Sequence, residues 1–287
     1  MYSDPTMAVY DVFPFYNELD ILEIRLNTLD PVVDYFVITE ATTTFAGHSK
    51  KLYLTENLEK FAKFKSKIVL QVIDGVPDIT PFERDWFQRD QAKSYLNLHL
   101  VDSDYLIYGD VDEIPKLESV RVAIDLLNDS TKIVHFAQDL NYYYLNLRET
   151  SGKLLSYMGE YAGIDDKKWL GTTLTNWSYS RNFSMTELRN PEHKEHGVRI
   201  NNGGWHFSYV GGEPGVTAAE RARNKVMNAA HQELNTRKIH KKIEKATSKH
   251  RDIFNRKGSN FEVVHDTSYL PEYVQINLGR FENLITK

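Results

Sequence analysis

Cysteine is absent from this chain of 287 residues. That excludes disulfides and any thiolate-bound metal, and it fits a reducing compartment. Long apolar runs are also missing. No stretch approaches the ~18 residues that a membrane-spanning helix needs. Met1 to Thr6 has neither the basic start nor the apolar core of a secretory leader. A soluble, cytoplasmic protein with no transmembrane segment is the expectation. Basic excess is missing too: the formal net charge is -5, which speaks against a nucleic-acid binder. There is no glycine-rich phosphate loop, no nucleophile elbow, no internal repeat and no low-complexity tract. What is present is 41% hydrophobic and 12% aromatic residues, enough for a core and too much for a disordered chain.

The first half alternates. Ala8 to Phe13 is a strand candidate that Pro14 ends. Asn17 is placed to cap a helix, with Asp20 reaching back, and Leu19, Leu22, Leu26 and Leu29 give that helix a buried face. Tyr35 to Glu40, dense in β-formers, is a second strand with Glu40 at its C-terminal end. Asn57 to Phe64 reads as a helix, Ile68 to Ile73 as a strand, Phe82 to Leu100 as one long helix and Tyr105 to Tyr108 as a fourth strand. Such alternation predicts an α/β fold with a mostly parallel, Rossmann-like sheet flanked by helices. Ligands of such sheets bind beyond the C-terminal ends of the strands.

The fourth strand runs directly into Gly109-Asp110-Val111-Asp112-Glu113-Ile114-Pro115. Three carboxylates within four residues repel one another unless a cation sits among them. If the extended geometry persists, Asp110 and Asp112 point the same way. Oxygen ligands of this kind suit Mg²⁺ or Mn²⁺, either of which also holds a diphosphate. The competing reading is a solvated acidic turn.

Leu117 to Leu127 reads as a helix and Ile133 to Ala137 as a strand, with the aromatic run Tyr142-Tyr143-Tyr144 behind it. From Ser151 to Asn202 the pattern loosens, and long loops are expected to carry Trp169 and Trp177, either against sugar rings or in a second, irregular core. Gly203 and Gly204 permit close backbone approach. His206, on the strand that follows, is either a satisfied core residue or a ligand. Thr217 and Glu220 start a helix that runs to about Leu234. From Thr236 to Arg251 there are seven Lys or Arg against one acid, Glu244. This is a solvated helix face, or a patch for peripheral contact with an anionic membrane or an acidic acceptor.

Several stretches together resemble glycosyltransferase family 17, which includes the enzyme that places the bisecting N-acetylglucosamine on N-glycans. They are Asp11-Val12-Phe13-Pro14-Phe15-Tyr16-Asn17-Glu18-Leu19-Asp20, Leu22-Glu23-Ile24-Arg25-Leu26, Asp30 to Glu40, Phe87-Gln88-Arg89, Asp110 to Pro115, Gly203 to Ser208 and Tyr269 to Val274. The resemblance implies a GT-A-like fold in one domain, 1–287. Residues 7–130 form the nucleotide-sugar-binding half, 131–215 a loop-rich acceptor and catalytic half, and 216–287 a helical C-terminal extension. It implies inverting transfer from a UDP-sugar, UDP-N-acetylglucosamine by the family's preference, to a hydroxyl of a polysaccharide, lipopolysaccharide or glycoprotein. This chain shows no anchor, cysteine or secretory signal, and so departs from the animal N-glycan enzyme.

With that resemblance, Asp112 is expected to bind the metal directly, Asp110 to bind it through water or to hold the ribose, and His206 to complete the set. Imidazole beside two carboxylates favours Mn²⁺ over Mg²⁺. Arg89 and Arg84 are candidates for the diphosphate, and Asn17, Glu18 and Glu40 for the uridine. The base that inversion requires is sought among Asp165, Asp166 and Glu187, and the acceptor platform is Trp169 with Trp177. One rival is a sugar nucleotidyltransferase, whose glycine-rich basic loop is absent from Val9 to Asp20. The other is a non-catalytic carbohydrate-binding protein with a Ca²⁺ site at Asp110–Glu113, which would ignore UDP.

Overall fold

The computed structural model describes residues 7–155, 168–189, 197–212 and 215–287. β1 (Val9–Phe15) leads to α1 (Leu19–Leu29), β2 (Tyr35–Ala41) and β3 (Ile68–Ile73), then to α2 (Pro81–Asp90) and α3 (Ala92–His99). β4 (Tyr105–Tyr108), β5 (Glu113–Pro115), α4 (Leu117–Leu126), β6 (Ile133–Tyr142), β7 (Leu147–Glu149), β8 (Thr173–Asn176) and β9 (Val198–Ser208) follow. The longer elements of the last part are α5 (Ala218–Asn228), α6 (Ile243–Ser248), β10 (Phe261–Val263) and α7 (Glu272–Ile276).

All these strands join one sheet, in the order β10-β7-β6-β8-β4-β1-β2-β3, with β9 between β6 and β5 off that path. The four strands of the alternating half, β3, β2, β1 and β4, are parallel. β8 is antiparallel between β4 and β6. β9 runs parallel to β6 and carries β5 antiparallel on its far side. This is the helix-flanked GT-A-like α/β architecture that the alternation and the resemblance predict. Leu19, Leu22, Leu26 and Leu29 are buried, as their spacing requires. Leu270, Val274, Phe281 and Leu284 return to the same core, so the C-terminal residues close over α1. Among the described residues, no helix is long and apolar enough to cross a membrane.

Several local expectations are corrected. Pro14 does not end β1. Pairing with β4 stops at Val12, while Pro14 still pairs with Thr39 of β2. Val12 hydrogen-bonds towards β4, where Gly109 N–H reaches its carbonyl at 3.4 Å. Pro14, two residues on, faces the same way, beyond the end of β4, so its missing N–H breaks no ladder. Asn17 is not the cap of α1: Glu18 is the N-cap residue, and no side chain caps the helix. Asn57 to Phe64 lies in a kinked 3-10 stretch, Thr55–Phe64. The helix from Pro81 is interrupted at Gln91, which keeps helical angles of φ -60° and ψ -30°. The helix capped by Thr217 and Glu220 stops at Asn228.

β8 lies where loops were expected. Its sequence, Thr-Leu-Thr-Asn, shows no alternation because strands cover both edges and Thr173, Leu174 and Thr175 are all buried. Trp177 is buried beside Tyr10, Leu96, Leu106 and Met185, so it is core and not an acceptor platform. The seven basic residues of 236–251 are all exposed, while Ile243, Ala246 and Thr247 between them are buried.

Candidate active site

β4 ends at Tyr108, and Gly109 to Asp112 turn back before β5. Glu113 N–H donates to Asp110 O at 2.9 Å and closes the turn. The extended geometry therefore does not persist, and the carboxylates of Asp110 and Asp112 part towards different cations. Glycine is required at 109, where a Cβ would stand 2.6 Å from Thr172 Oγ1.

Beneath the turn lies Arg25 of α1, fully buried. Its Nε and Nη2 donate to the two oxygens of Asp11 at 2.8 and 2.6 Å. Nη1 donates to Asp110 O at 2.9 Å and Glu113 O at 2.8 Å. One guanidinium thus neutralises a buried carboxylate of β1 and fixes the backbone of the acidic turn.

Above the turn, each acidic side chain has its own partners. Glu113 is buried and takes a fork from Arg189, Nη1 to Oε2 at 2.7 Å and Nη2 to Oε1 at 2.9 Å. Trp169 Nε1 donates to Oε1 at 2.7 Å, and Asp110 N–H to Oε2 at 2.8 Å. Asp110 pairs with Arg89 through Oδ1 and with Arg189 through Oδ2, the latter at 3.1 Å. Arg89 is steadied in turn by Asp85 at 2.7 Å. Asp112 Oδ2 accepts from Lys225 Nζ at 2.9 Å, and its Oδ1 faces His206 Nε2 at 3.7 Å.

Burial pushes these carboxyls up, but the cations win. Lys225 and then His206 hold Asp112 well below the ordinary carboxylate range. Arg189 does so chiefly for Glu113, and Arg189 with Arg89 for Asp110.

His206 reaches this point because β9 crosses close to β5. His206 pairs with Glu113, and Gly204 with Pro115. A Cβ on Gly204 would lie 2.2 Å from Ile114 O, so the approach needs glycine. The imidazole sits 4.4 Å from the Trp169 ring centre. Its Nδ1 is buried without a hydrogen-bond partner among the described residues.

Two cavities meet at this cluster, beyond the C-terminal ends of β1, β2 and β4. One, about 120 Å³, is lined by Phe15, Thr43, Arg89, Asp110 and Asp112. The other, about 250 Å³, is lined by Asn17, Tyr53, Tyr209, Arg221 and Asn224. Tyr16, Glu18 and Lys225 line both. Glu18 Oε2 accepts from Tyr16 and Asn17 N–H at 3.3 and 3.0 Å. Burial and then Asp112 raise its pKa.

The structure thus brings Asp110, Asp112, His206, Arg89, Asn17 and Glu18 to one place. It does not bring the others. Glu40 is buried and holds the loop after β2, accepting from Leu54 N–H at 2.8 Å and Thr55 N–H at 3.1 Å. Arg84 donates to Phe45 O at 3.2 Å and pairs with Asp78 at 3.1 Å. Glu187 is exposed and accepts from Ser184 N–H at 2.6 Å. Asp165 and Asp166 lie outside the described residues. Among the described residues, no three His, Asp or Glu side chains form a metal cage, because the oxygens of Asp110 are engaged by arginines. Sequence reasoning missed Arg25, Arg189, Lys225 and the role of Glu113. Only Arg25 left a trace, as a charge on the apolar face of a helix.

The model of glycosyltransferase family 17 matches residues 1–211. The chain belongs to glycosyltransferase family 17. Two curated relatives, the human and rat β-1,4-mannosyl-glycoprotein 4-β-N-acetylglucosaminyltransferases, are each 30% identical to the family 17 chain over 115 residues. That stretch is 36% of this chain and 21% of each relative. Among solved structures, the glucosyl-3-phosphoglycerate synthase of Mycobacterium tuberculosis is similar with a TM-score of 0.38 at 13% identity, over 70% of each chain.

Proposed function

We propose that this family 17 chain moves a sugar, N-acetylglucosamine by the family's preference, from a UDP-sugar to a glycan hydroxyl with inversion. The observation that carries this reading is Asp112, which lines the smaller cavity at the strand ends, faces His206 and pairs with Lys225, a residue of both cavities.

Asp112 and His206 fit a divalent ion, Mn²⁺ or Mg²⁺. Their facing atoms are 3.7 Å apart, too far for a hydrogen bond and close enough for one ion to touch both. The other ring nitrogen, Nδ1, has no hydrogen-bond partner among the described residues. Two protein ligands suffice where donor phosphates and water complete the sphere. When bound, the ion supplies positive charge against the departing diphosphate.

The remaining roles belong to the chain itself. Arg89 and Arg189 fix Asp110 beside the metal position, where its free lone pairs reach a bound water or the ribose. Asn17 and Glu18, with Tyr16, form the wall proposed for the uridine. Trp169 stands beside His206 as the aromatic face for a sugar ring. Asp165 and Asp166 are proposed as the source of the base. The acceptor class is a polysaccharide, a lipopolysaccharide or a protein-linked glycan, and the exposed basic residues of 236–251 suit contact with an anionic acceptor or membrane surface.

Calorimetric titration with UDP and UDP-N-acetylglucosamine, first with Mn²⁺ and then with chelator, tests the reading. Binding that needs Mn²⁺ and is lost in Asp112→Asn is the expected result. A protein that ignores UDP under both conditions overturns it.

A further inference from the structure

α5 presents Lys225 to the acidic turn from across the cavities. Its Nζ lies 2.9 Å from Asp112 Oδ2 and 5.2 Å from the centre of the Tyr209 ring. Burial opposes its charge, and Asp112, then Tyr209 and Glu18, outweigh that and favour the charged form. The ammonium therefore compensates the same carboxylate that a divalent ion would use.

Two features separate Lys225 from the other cations of the site. Arg89 is held by Asp85 and Asp110, and Arg189 by Asp110 and Glu113. These are rigid forks locked by two carboxylates each. Lys225, among the described residues, donates a single hydrogen bond, to Asp112. Its side chain is 38% exposed, against 6% for that of Asp112, and it lines both cavities. An ammonium on a flexible four-carbon stem can leave its partner without any movement of the helix. A divalent ion and an ammonium on one carboxylate repel each other strongly at such range. Once an ion sits between Asp112 and His206, Lys225 is left to Glu18, which lines the same cavities, and to the incoming diphosphate.

We propose that Lys225 is an exchangeable counter-cation: it pairs with Asp112 in the absence of metal, and it turns to the donor's diphosphate when a divalent ion takes its place. This rests on the donor reading above and adds to it a residue that opposes metal binding and assists diphosphate binding. The two effects have opposite signs, which a merely structural lysine would not produce.

The test uses the whole chain as wild type, Lys225→Met, Lys225→Gln and Lys225→Arg. Mn²⁺ binding without nucleotide is read from the spin-resonance signal of free Mn²⁺, and UDP binding at saturating Mn²⁺ from calorimetry. Both neutral variants are expected to bind Mn²⁺ alone about tenfold more tightly, and UDP about tenfold more weakly, the scale of one charge-assisted hydrogen bond. Lys225→Arg keeps the charge and stays near wild type on both. Agreement between Met and Gln, with circular dichroism spectra like wild type, excludes a folding defect in either. A wild type that binds UDP, with neutral variants that leave both affinities unchanged or weaken both together, overturns this inference alone. A wild type that ignores UDP with and without Mn²⁺ overturns the donor reading and this inference with it.

Discussion

The two sides of the acidic turn handle charge in opposite ways. Below it, Arg25 and Asp11 are both fully buried, and the pair also holds the turn's carbonyls. Above it, Arg89, Arg189 and Lys225 meet the side chains, and Arg89 and Lys225 also line the cavities. A sealed pair cannot exchange partners, because either charge left alone in the core is costly. The Lys225–Asp112 pair at the cavity rim can, because water or ligand takes over the contact. The lower layer is therefore scaffold and the upper layer is where the proposed chemistry would take place, although both are built from the same kinds of charged side chain.

The largest expected effect falls on the lower layer. Arg25→Met strands Asp11 in the core and should cost about 3–5 kcal/mol, on the order of 10 °C in melting temperature. Thermal unfolding followed by circular dichroism measures it. The same experiment on Lys225→Met should show a far smaller loss, since that lysine is partly exposed and its partner faces a cavity. Equal losses in the two variants would erase the distinction between the layers.

Acid sharpens the comparison next. Asp110, Asp112 and Glu113 have folded pKa values below their unfolded ones, near 4. The unfolded state then binds more protons as pH falls, so the stability they contribute is complete above about pH 5 and is lost as pH drops through the folded values. Melting temperature should be flat from pH 7 to about 5 and fall below about 4. Arg189→Met, which removes the main cause of the depression at Glu113, should flatten that fall. A wild-type slope already steep between pH 7 and 6 would show that other groups dominate.

The smallest effect belongs to Trp169. Trp169→Phe keeps a smaller aromatic ring beside His206 and removes the N–H donated to Glu113 Oε1. A hydrogen bond to a charged group contributes roughly 1.5–3 kcal/mol, and Arg189 still holds Glu113, so the lower end is expected in a urea titration. A loss as large as that of Arg25→Met would move Trp169 into the scaffold.

Much of the first half was legible because its information is local. β3 and β4 fall where their apolar runs predicted, and the leucines of α1 are buried as spaced. Gly203 and Gly204 announced a close approach before any partner strand was known; β5 is the partner at Gly204 and Phe136 of β6 the neighbour at Gly203. β8 was not legible, because a strand paired on both edges and buried on both faces has no reason to alternate. Trp177 misled for a related reason: an aromatic side chain has the same composition signal in a core as on a sugar platform. Glu40 misled because a strand-end carboxylate can hold its own loop as readily as a ligand.

By itself the sequence determined the alternating half, the acidic turn at the end of β4, and the glycines that let His206 approach it. Each is written in residues adjacent along the chain, where periodicity and turn chemistry act directly. Only the tertiary structure decided which cation meets which carboxylate. Arg25 lies 85 residues from the Asp110 carbonyl it holds, Arg189 lies 79 from the Asp110 carboxylate, and Lys225 lies 113 from Asp112. With 35 lysines and arginines in the chain, the choice of partner for a buried acid belongs to the packing of distant elements, and no local pattern records it.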